Sequence, residues 1–344
     1  MSKTIEERLT LFDTYLERTG MDKKQYQYDG VRWILNNELR DDPVQNIRGG
    51  IIADEMGLGK TIMMIGTMLC NFVPKTLVVV PPVLIDQWFV QIYRTTGHKA
   101  LIYHGEEKKN TTLEDLQKAK IVICTYAAVT LTRDQIANRE LSDLHKIQWS
   151  RLVCDEAHHL RNAGTTRYFG VRILQANIRW LVTGTPIQNR KKDFYNLCNI
   201  LRLPASFYTD IDALKLKARE FILKRTKKQV GIKIADLFID KNLVNWQNVK
   251  EKELSEELHS ALKFSSARSK SDQIVSAFSG SGFALPIILR ARQSCIYPKL
   301  MAGQLNKLVE AGIMSDYTQY KEAFNCSSKL DYAVKKILDR KDNG

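Results

Sequence analysis

The chain has 344 residues, of which 44% are hydrophobic and 26% are charged, values typical of a globular protein that is long enough to bury a core. The 52 Lys and Arg residues outnumber the 38 Asp and Glu residues, and the resulting net charge of +14 favours a polyanionic partner such as nucleic acid. No apolar stretch approaches the roughly 20 residues that span a bilayer, and the start MSKTIEERLTLF is charged and amphipathic, without the apolar region that we would expect of a signal peptide.

Between about residues 26 and 190, short β-branched runs alternate with helical patterns. Continuous apolar runs of strand length are typical of strands that are buried on both faces of a parallel sheet. The alternation therefore predicts an α/β fold in which helices flank a parallel β-sheet. The predicted strands are 49–53, 76–80, 120–125, 151–154 and 179–183. The predicted helices are 26–39, 61–72, 83–95 and 112–118.

The pattern changes after residue 190. The segment 215–228 has seven basic residues and one acidic residue, and it is either a surface for a polyanion or a solvated helix face. Residues 151–233 as a whole hold seventeen basic and six acidic residues, so most of the positive charge lies in one quarter of the chain. The later predicted elements are a strand-like segment at 237–246, a helix at 251–268, a loop of small residues at 276–282, helical patterns at 284–312 and a helix that begins at the serines near 327.

The cysteines give information about the compartment. All six are scattered along the chain and none forms a CxxC pair, so neither a zinc site nor a disulfide framework is predicted. Cys70, Cys124 and Cys154 lie in apolar runs, where we expect buried, reduced thiols. A reducing intracellular compartment follows, either the nucleus or, for a bacterial or viral protein, the cytoplasm.

The segment IIADEMGLGKT (51–61) predicts a buried strand, a glycine-bearing loop and a helix. Phosphate binding requires backbone N–H groups that face the anion, a helix N-terminus and a lysine that reaches the terminal phosphates. Gly57 and Gly59 allow a close approach of the backbone. Lys60 would contact the β- and γ-phosphates, and the hydroxyl of Thr61 would hold Mg²⁺.

A second segment, RLVCDEAHHL (151–160), is an apolar strand that ends in Asp155 and Glu156. In nucleotide hydrolases the first acid holds Mg²⁺ and the second polarises the attacking water. Asp54 stands where the general pattern GxxxxGK[ST] has glycine, so the phosphate loop alone is also compatible with a plain strand–turn–helix corner. Similarly, two acids at a strand end are often merely solvated. Their combination with Lys60 predicts a nucleotide-hydrolysing site.

Two further segments fit the same site. LVTGTPIQN (181–189) brings the hydroxyls of Thr183 and Thr185 to the carboxyl edge of the sheet, where ligands bind in open α/β folds, although an ordinary turn is an alternative. In the helix predicted near residue 26, the amide of Gln27 offers a donor and an acceptor to an adenine edge. Trp33 fits a core-facing aromatic stripe better than a ligand site.

Taken together, these motifs resemble the Swi/Snf (Snf-type) branch of helicase superfamily two over about residues 20–335, in order and in spacing. In that branch DEMGLGKT is the usual form of the phosphate loop, so Asp54 supports the resemblance. The motifs are Tyr26-Gln27, DEMGLGKT, the segment from Pro81-Pro82 to Gln87-Trp88, Thr125-Tyr126, DEAH, TGTPIQN, LKRTKKQV and LRARQSCIYPKL.

The resemblance implies three regions: an N-terminal RecA-like ATPase lobe at 1–248, a helical protrusion and linker at 249–326, and the beginning of a second RecA-like lobe at 327–344. It implies ATP and Mg²⁺ as cofactors, and ATP hydrolysis that is stimulated by duplex DNA and coupled to translocation without strand separation. The implied partners are duplex DNA, a second RecA-like lobe in cis, and transcription or chromatin factors. We expect the chain to be the N-terminal half of a longer protein and to hydrolyse ATP poorly alone, because an arginine finger from the second lobe is worth about 10³–10⁵ in rate.

The expected site residues fall into five groups. The catalytic residues are Lys60, Asp155 and Glu156, and the nucleotide-binding residues are Gln27, Gly57, Gly59, Lys60 and Thr61. The Mg²⁺ ligands are Thr61 and Asp155. The residues expected to couple the ATP site to DNA are His158, Thr183 and Thr185. The residues expected along the DNA are Gln87, Thr125, Arg190, Lys191 and Lys192, of which the last three would grip phosphates without reading bases.

Two other functions remain open. One is a DEAH-type helicase that separates strands of RNA or DNA, which an unwinding assay on tailed duplexes would distinguish from a translocase. The other is a nucleotide-binding scaffold without catalysis. Intact Lys60, Asp155 and Glu156 argue against the scaffold.

Overall fold

The structure is a computed structural model that describes residues 3–138, 140–187, 190–233, 238–260, 284–313 and 315–339. The chain divides into two compact units, Met1–Ala235 and Asp236–Gly344, and this division lies within the predicted lobe 1–248. None of the described helices is long and apolar enough to cross a membrane. The predicted loop 276–282 and the part of the predicted helix 251–268 that follows Ser260 lie outside the described residues.

The first unit is built on a seven-stranded sheet in which every paired strand is parallel to its neighbour. The predicted α/β fold with a parallel sheet is therefore confirmed. The strands are β1 (Arg48–Ile52), β2 (Thr76–Val80), β3 (Leu101–Tyr103), β4 (Ile121–Thr125), β5 (Gln148–Asp155), β6 (Gln175–Val182) and β7 (Ile222–Leu223). Their order across the sheet is β3-β4-β2-β5-β6-β1-β7.

Helices cover both faces of this sheet. They are α1 (Ile5–Thr19), α2 (Gln25–Leu39), α3 (Lys60–Cys70), α4 (Ile85–Thr96), α5 (Gly105–Asn110), α6 (Leu113–Lys118), α7 (Arg133–Ala137), α8 (Thr166–Ile173), α9 (Lys191–Ile200), α10 (Ala205–Thr209) and α11 (Ile211–Phe221). Local signals fix several of their ends. The α6 helix, for example, begins after Thr112, whose hydroxyl accepts from the N–H of Asp115 in a capping box.

The period of two along each strand divides the core between the two faces of the sheet. Ile51, Val79 and Cys154 lie in the core under one face. Ile52 and Val78, their sequence neighbours, lie in the core on the other face, which α1 to α4 cover. Because both faces are buried, the strands read as continuous apolar runs, and this is why the sequence predicted five of them.

The second unit, in its described part, is helical. It contains α12 (Val249–Ser260), α13 (Ala284–Ile296), α14 (Ala302–Glu310) and α15 (Ser328–Leu338). Its core is a cluster of buried side chains from the first three of these helices and the turns that follow them. The cluster includes Leu254, Leu258, Ala291, Met301, Leu305, Ala323 and Phe324.

The sequence interpretation was wrong for one segment and incomplete for two strands. Residues 238–246, the described part of the strand-like segment 237–246, form neither helix nor strand, and the side chains of Phe238 and Leu243 are 88% and 99% exposed. An apolar pattern produces a strand only where a neighbouring strand pairs with it. The short strands β3 and β7 were not predicted, because three and two residues carry too little pattern.

Candidate functional site

The phosphate loop joins the end of β1 to the start of α3, and its glycines are required by the backbone. Gly57 and Gly59 have φ angles of +88° and +79°, in the left-handed region that favours glycine. A Cβ on Gly59 would lie only 2.3 Å from Nε2 of Gln27, so a side chain there would displace the Gln27 amide. The loop thus presents its main chain at the carboxyl edge of the sheet, as an anion-binding loop requires.

Lys60 is the first residue of α3 and is half-buried. Its ammonium group donates to the main-chain oxygens of Asp54 (2.9 Å) and Glu55 (3.4 Å). Burial lowers the pKa of Lys60, and the negative charges of Glu156 and Asp155 oppose that shift. A Cβ on Gly184 would lie 3.5 Å from this ammonium group, so the segment after β6 lies beside the phosphate loop.

Asp155 ends β5 and is a buried residue, with 5% of its surface exposed. Its Oδ2 accepts from the indole N–H of Trp88 at 2.8 Å, and its Oδ1 accepts from the main-chain N–H of Glu156 at 2.9 Å. Burial raises the pKa of Asp155, while these two hydrogen bonds act in the opposite direction. Glu156 follows with a φ of +49°, which turns the chain sharply after the strand.

A histidine joins the acidic segment to the segment after β6. Nδ1 of His158 lies 3.1 Å from Oε2 of Glu156 and 3.5 Å from the hydroxyl oxygen of Thr183. Thr183 is fully buried, and its hydroxyl accepts from the N–H of Thr185 at 3.3 Å. These three expected coupling residues, His158, Thr183 and Thr185, are therefore in one hydrogen-bonded group beside Glu156.

Gln27 also lies against the phosphate loop. Its side chain is buried, and its amide donates to the main-chain oxygen of Leu58 at 3.3 Å. The adjacent residue, Tyr26, contributes its main-chain oxygen to a neighbouring guanidinium group, that of Arg225. The beginning of α2 is thus attached to the loop, and the expected nucleotide-binding residues Gln27, Gly59, Lys60 and Thr61 are close together.

Sequence reasoning missed Arg225, which explains the aspartate at position 54. Nε of Arg225 lies 3.2 Å from both carboxylate oxygens of Asp54, its Nη2 forms the ion pair, and its main-chain N–H donates to Asp54 at 2.8 Å. Asp54 is fully buried, so this carboxylate needs a charged partner. The two residues are 171 positions apart, and no local pattern links them. Arg225 belongs to the basic segment 215–228, and its positive charge is neutralised by Asp54.

Sequence reasoning also missed the role of Trp88. Its neighbour Gln87 is expected along the DNA, yet the ring of Trp88 is fully buried and its N–H binds Asp155. Gln87, by contrast, is exposed in the first turn of α4. A tryptophan in an amphipathic helix ordinarily indicates core packing, and the hydrogen bond to an acid 67 residues away gives no signal in the sequence.

The residues expected along the DNA differ in their exposure. Arg190, Lys191 and Lys192 are exposed at the start of α9, which follows β6 and the TGT segment. Thr125 ends β4, is only 2% exposed, and accepts at its main-chain oxygen from the N–H of Ala128 in the turn that follows. This burial disfavours the expected contact between the side chain of Thr125 and DNA. Gln188 and Asn189, the last residues of TGTPIQN, lie outside the described residues.

Comparison with known proteins gives the family. The model of the SNF2-related domain matches residues 26–300. A probable global transactivator of Orgyia pseudotsugata multicapsid polyhedrosis virus is 29% identical over 336 residues, which are 93% of this chain and 64% of that protein. The DNA repair protein RAD5 of Candida albicans is 30% identical over 330 residues, which are 78% of this chain and 30% of that protein.

A solved structure agrees with the fold. The Sulfolobus solfataricus SWI2/SNF2 ATPase core in complex with dsDNA has a TM-score of 0.50 and 23% identity, and the match covers 92% of this chain and 64% of that one. The chain therefore spans less than two thirds of each of these relatives. The resemblance inferred from the motifs is confirmed, and the chain belongs to the family of SNF2-related domains, whose members are helicase-like ATPases.

Proposed function

We propose that this chain is the first ATPase lobe of a double-stranded DNA translocase, and that it binds ATP with Mg²⁺ and grips duplex DNA. The observation that carries the proposal is the convergence of Lys60, Asp155, Glu156 and Thr183 from separate segments on the carboxyl edge of one parallel sheet. Ligands bind at this edge in open α/β folds. The basic charge after β6 supplies the second half of the proposal, the contact with a polyanion.

The proposed chemistry is hydrolysis of the terminal phosphoryl group. The backbone of Gly57 and Gly59 and the ammonium of Lys60 bind the phosphates, and Gln27 contacts the adenine. Glu156 accepts a proton from the water that attacks the γ-phosphorus, and ADP leaves with the electrons of the broken P–O bond. His158 is within hydrogen-bond distance of both Glu156 and Thr183, so it is suited to transmit a change at the terminal phosphate.

The residues present fit a magnesium ion. Mg²⁺ prefers oxygen ligands and is usually bound by one or two carboxylates together with substrate phosphates. In the part of the chain that the structure describes, the carboxylate of Asp155 accepts from two uncharged N–H groups and forms no ion pair, so its negative charge is not neutralised there. With the hydroxyl of Thr61 it would hold Mg²⁺, which neutralises the charge on the phosphate oxygens.

The larger architecture is also part of the proposal. Residues 1–248 act as the first lobe, 249–326 as a helical protrusion and linker, and 327–344 as the start of a second RecA-like lobe. Turnover needs that second lobe, which would supply an arginine to the terminal phosphate. Duplex DNA and, through further regions, transcription or chromatin factors are the proposed partners, in a reducing intracellular compartment.

Binding of a fluorescent ATP analogue to the 344-residue chain tests the proposal. We expect Mg²⁺-dependent binding by the wild-type chain and a loss of at least about tenfold in Lys60→Ala, because a charge-assisted contact to phosphate is removed. Glu156→Gln should retain binding, since Glu156 acts on the water and not on the nucleotide. Lys118→Ala, an exposed lysine on α6, is the matched control. Equal binding by Lys60→Ala and the wild-type chain would contradict the proposal.

A helicase that separates strands is the second candidate, because the DEAH segment also occurs in such enzymes. A form of the protein that includes a second lobe decides between the two. Displacement of a third strand from a DNA triplex, without opening of a tailed duplex, is expected of the translocase. Opening of the tailed duplex with ATP would favour the helicase.

A further inference from the structure

Residues 223–227, which we call the clamp segment, run alongside the phosphate loop and are hydrogen-bonded to it. The N–H of Ala53 donates to the oxygen of Leu223 at 2.7 Å, and the N–H of Glu55 donates to the oxygen of Arg225 at 2.9 Å. The N–H of Lys227 donates to Oε2 of Glu55 at 2.8 Å. Together with the ion pair between Asp54 and Arg225, these bonds fix the backbone of the clamp segment beside the loop.

The side chain of Lys227 lies over the loop. A Cβ built on Gly57 would be 3.4 Å from Cε and 3.7 Å from Nζ of Lys227. Lys227 is half-buried, whereas Lys224 and Lys228 in the same basic run are exposed. Two of three neighbouring lysines therefore face solvent, and one is folded back onto the loop that carries Lys60.

The ammonium group of Lys227 has no anionic partner in the described part of the chain. Its neighbour Arg225 is already neutralised by Asp54, and Lys60 is held by the main-chain oxygens of Asp54 and Glu55. A partly desolvated cation without a counter-charge is unfavourable by itself and becomes favourable when an anion binds next to it. Gly57, with its left-handed backbone and no side chain, leaves room for an anion at this position.

We propose that Lys227 is a second phosphate-binding lysine of the nucleotide site, which contacts the polyphosphate of the bound nucleotide from the clamp segment while Lys60 contacts it from α3. This inference rests on the proposed function, since it assigns a further residue to the same site. It assigns Lys227 to the nucleotide and not to DNA, because its side chain lies beside Gly57 of the phosphate loop. Lys224 and Lys228, which are exposed, remain available to other anions.

Substitution of Lys227 by methionine is the direct test, since it removes the charge and keeps most of the length. The main-chain bond to Glu55 is retained, so the clamp segment stays in place. In the 344-residue chain with Mg²⁺, we expect Lys227→Met to raise the Kd of fluorescent ATP and ADP analogues about tenfold, and Lys227→Arg to restore most of the affinity. A fluorescent adenosine without phosphates should bind both chains equally.

Lys224→Met and Lys228→Met are the matched controls, because they make the same change of charge within a few residues. Unchanged affinity in Lys227→Met, or an equal loss in all three variants, would overturn the inference, as would a loss of DNA binding with nucleotide binding intact. A fall in the melting temperature of the ligand-free Lys227→Met chain, without recovery of affinity in Lys227→Arg, would assign Lys227 a structural role and also overturn it. Loss of ATP binding in Lys60→Ala but not in Lys227→Met would leave the proposed function intact and remove only this inference.

Discussion

Two buried aspartates of the site, Asp54 and Asp155, are held in different ways, and the difference determines what each can do. Asp54 is paired with the guanidinium group of Arg225, so its charge is neutralised within the protein. Within the described residues, the carboxylate of Asp155 accepts only from the N–H groups of Trp88 and Glu156, which orient it without neutralising its charge. Burial without a neutralising partner makes the binding of a cation favourable, and burial is also the cause of the raised pKa of Asp155. Asp54 therefore anchors the loop, while the environment of Asp155 suits the metal-binding role that we propose for it.

Trp88→Phe tests whether the indole positions Asp155. The phenyl ring keeps most of the packing but has no N–H to donate, so Oδ2 of Asp155 loses its partner. Removing a hydrogen bond that orients a metal ligand typically costs about 10–100-fold in metal affinity. We therefore expect the Mg²⁺ concentration at half-maximal binding of an ATP analogue to rise about tenfold, while binding without Mg²⁺ changes little.

Trp149→Phe is the control for this variant. Trp149 is also fully buried and lies on β5, the strand that ends at Asp155, near its opposite end. It donates its indole N–H to the main-chain oxygen of Leu144 at 2.9 Å. The same substitution there should lower stability but leave the Mg²⁺ requirement unchanged. An equal Mg²⁺ requirement in Trp88→Phe and the wild-type chain would show that the indole only packs.

Among the elements, those with a strong local pattern were predictable. Five strands were predicted from their sequences because burial on both faces makes each a continuous apolar run. The strand β7 forms because Ile222 and Leu223 pair with Ile51 and Ile52 of β1, a strand that is far away in the sequence. The segment 238–246 has a strand-like composition, but Leu243 and its neighbours pair with no strand among the described residues. Pairing between distant segments is the information that a single stretch of sequence lacks.

A buried ion pair joins α2 to the sheet and is expected to contribute to the stability of the first unit. Glu38, near the end of α2, accepts from Nε of Arg151 on β5 at 2.7 Å, from Asn71 at 2.7 Å and from the indole of Trp180 on β6 at 2.8 Å. The side chains of Glu38 and Arg151 are 0% and 1% exposed. Removing one partner of such a pair leaves an uncompensated charge in the core.

We expect Glu38→Gln to lower the free energy of unfolding of the first unit by about 3–5 kcal/mol. The double variant Glu38→Gln, Arg151→Met should be more stable than Glu38→Gln alone, because it removes the unpaired guanidinium group. Urea unfolding followed by tryptophan fluorescence measures this, since Trp33, Trp88, Trp149 and Trp180 all lie in the first unit. Simple additivity of the two substitutions would contradict a coupling between the charges.

For the whole molecule, the excess of basic residues in 151–233 has more than one role. Arg151 and Arg225 are neutralised by Glu38 and Asp54. Arg179 is 3% exposed, and burial lowers its pKa to about 10. Net charge along the chain therefore predicts a polyanionic partner but does not identify the residues that contact it. Which basic side chains are exposed, and so able to contact a polyanion, depends on the folded structure.

The same limit applies to the site. Motif residues that are adjacent in the chain, such as Gly59-Lys60-Thr61 or Asp155-Glu156, could be predicted as site residues from the sequence because each motif is a local pattern. The bond from Trp88 to Asp155 and the contact of Lys227 with the loop depend on how distant segments pack. Such contacts follow from the topology of the sheet and not from any motif.

The proposed DNA contact can be tested by comparing basic residues at the two edges of the sheet. Arg190, Lys191 and Lys192 are exposed after β6, at the carboxyl edge, and replacing all three with alanine should weaken duplex binding equally for unrelated DNA sequences. The slope of log K against log salt should fall by about 0.9 for each DNA phosphate that the variant no longer neutralises.

The matched control removes three exposed lysines that precede strands at the amino edge. They are Lys75, Lys120 and Lys146. Binding titrations across a range of salt concentrations give both slopes, and equal effects of the two triple variants would mean that net charge, and not the carboxyl edge, binds the DNA.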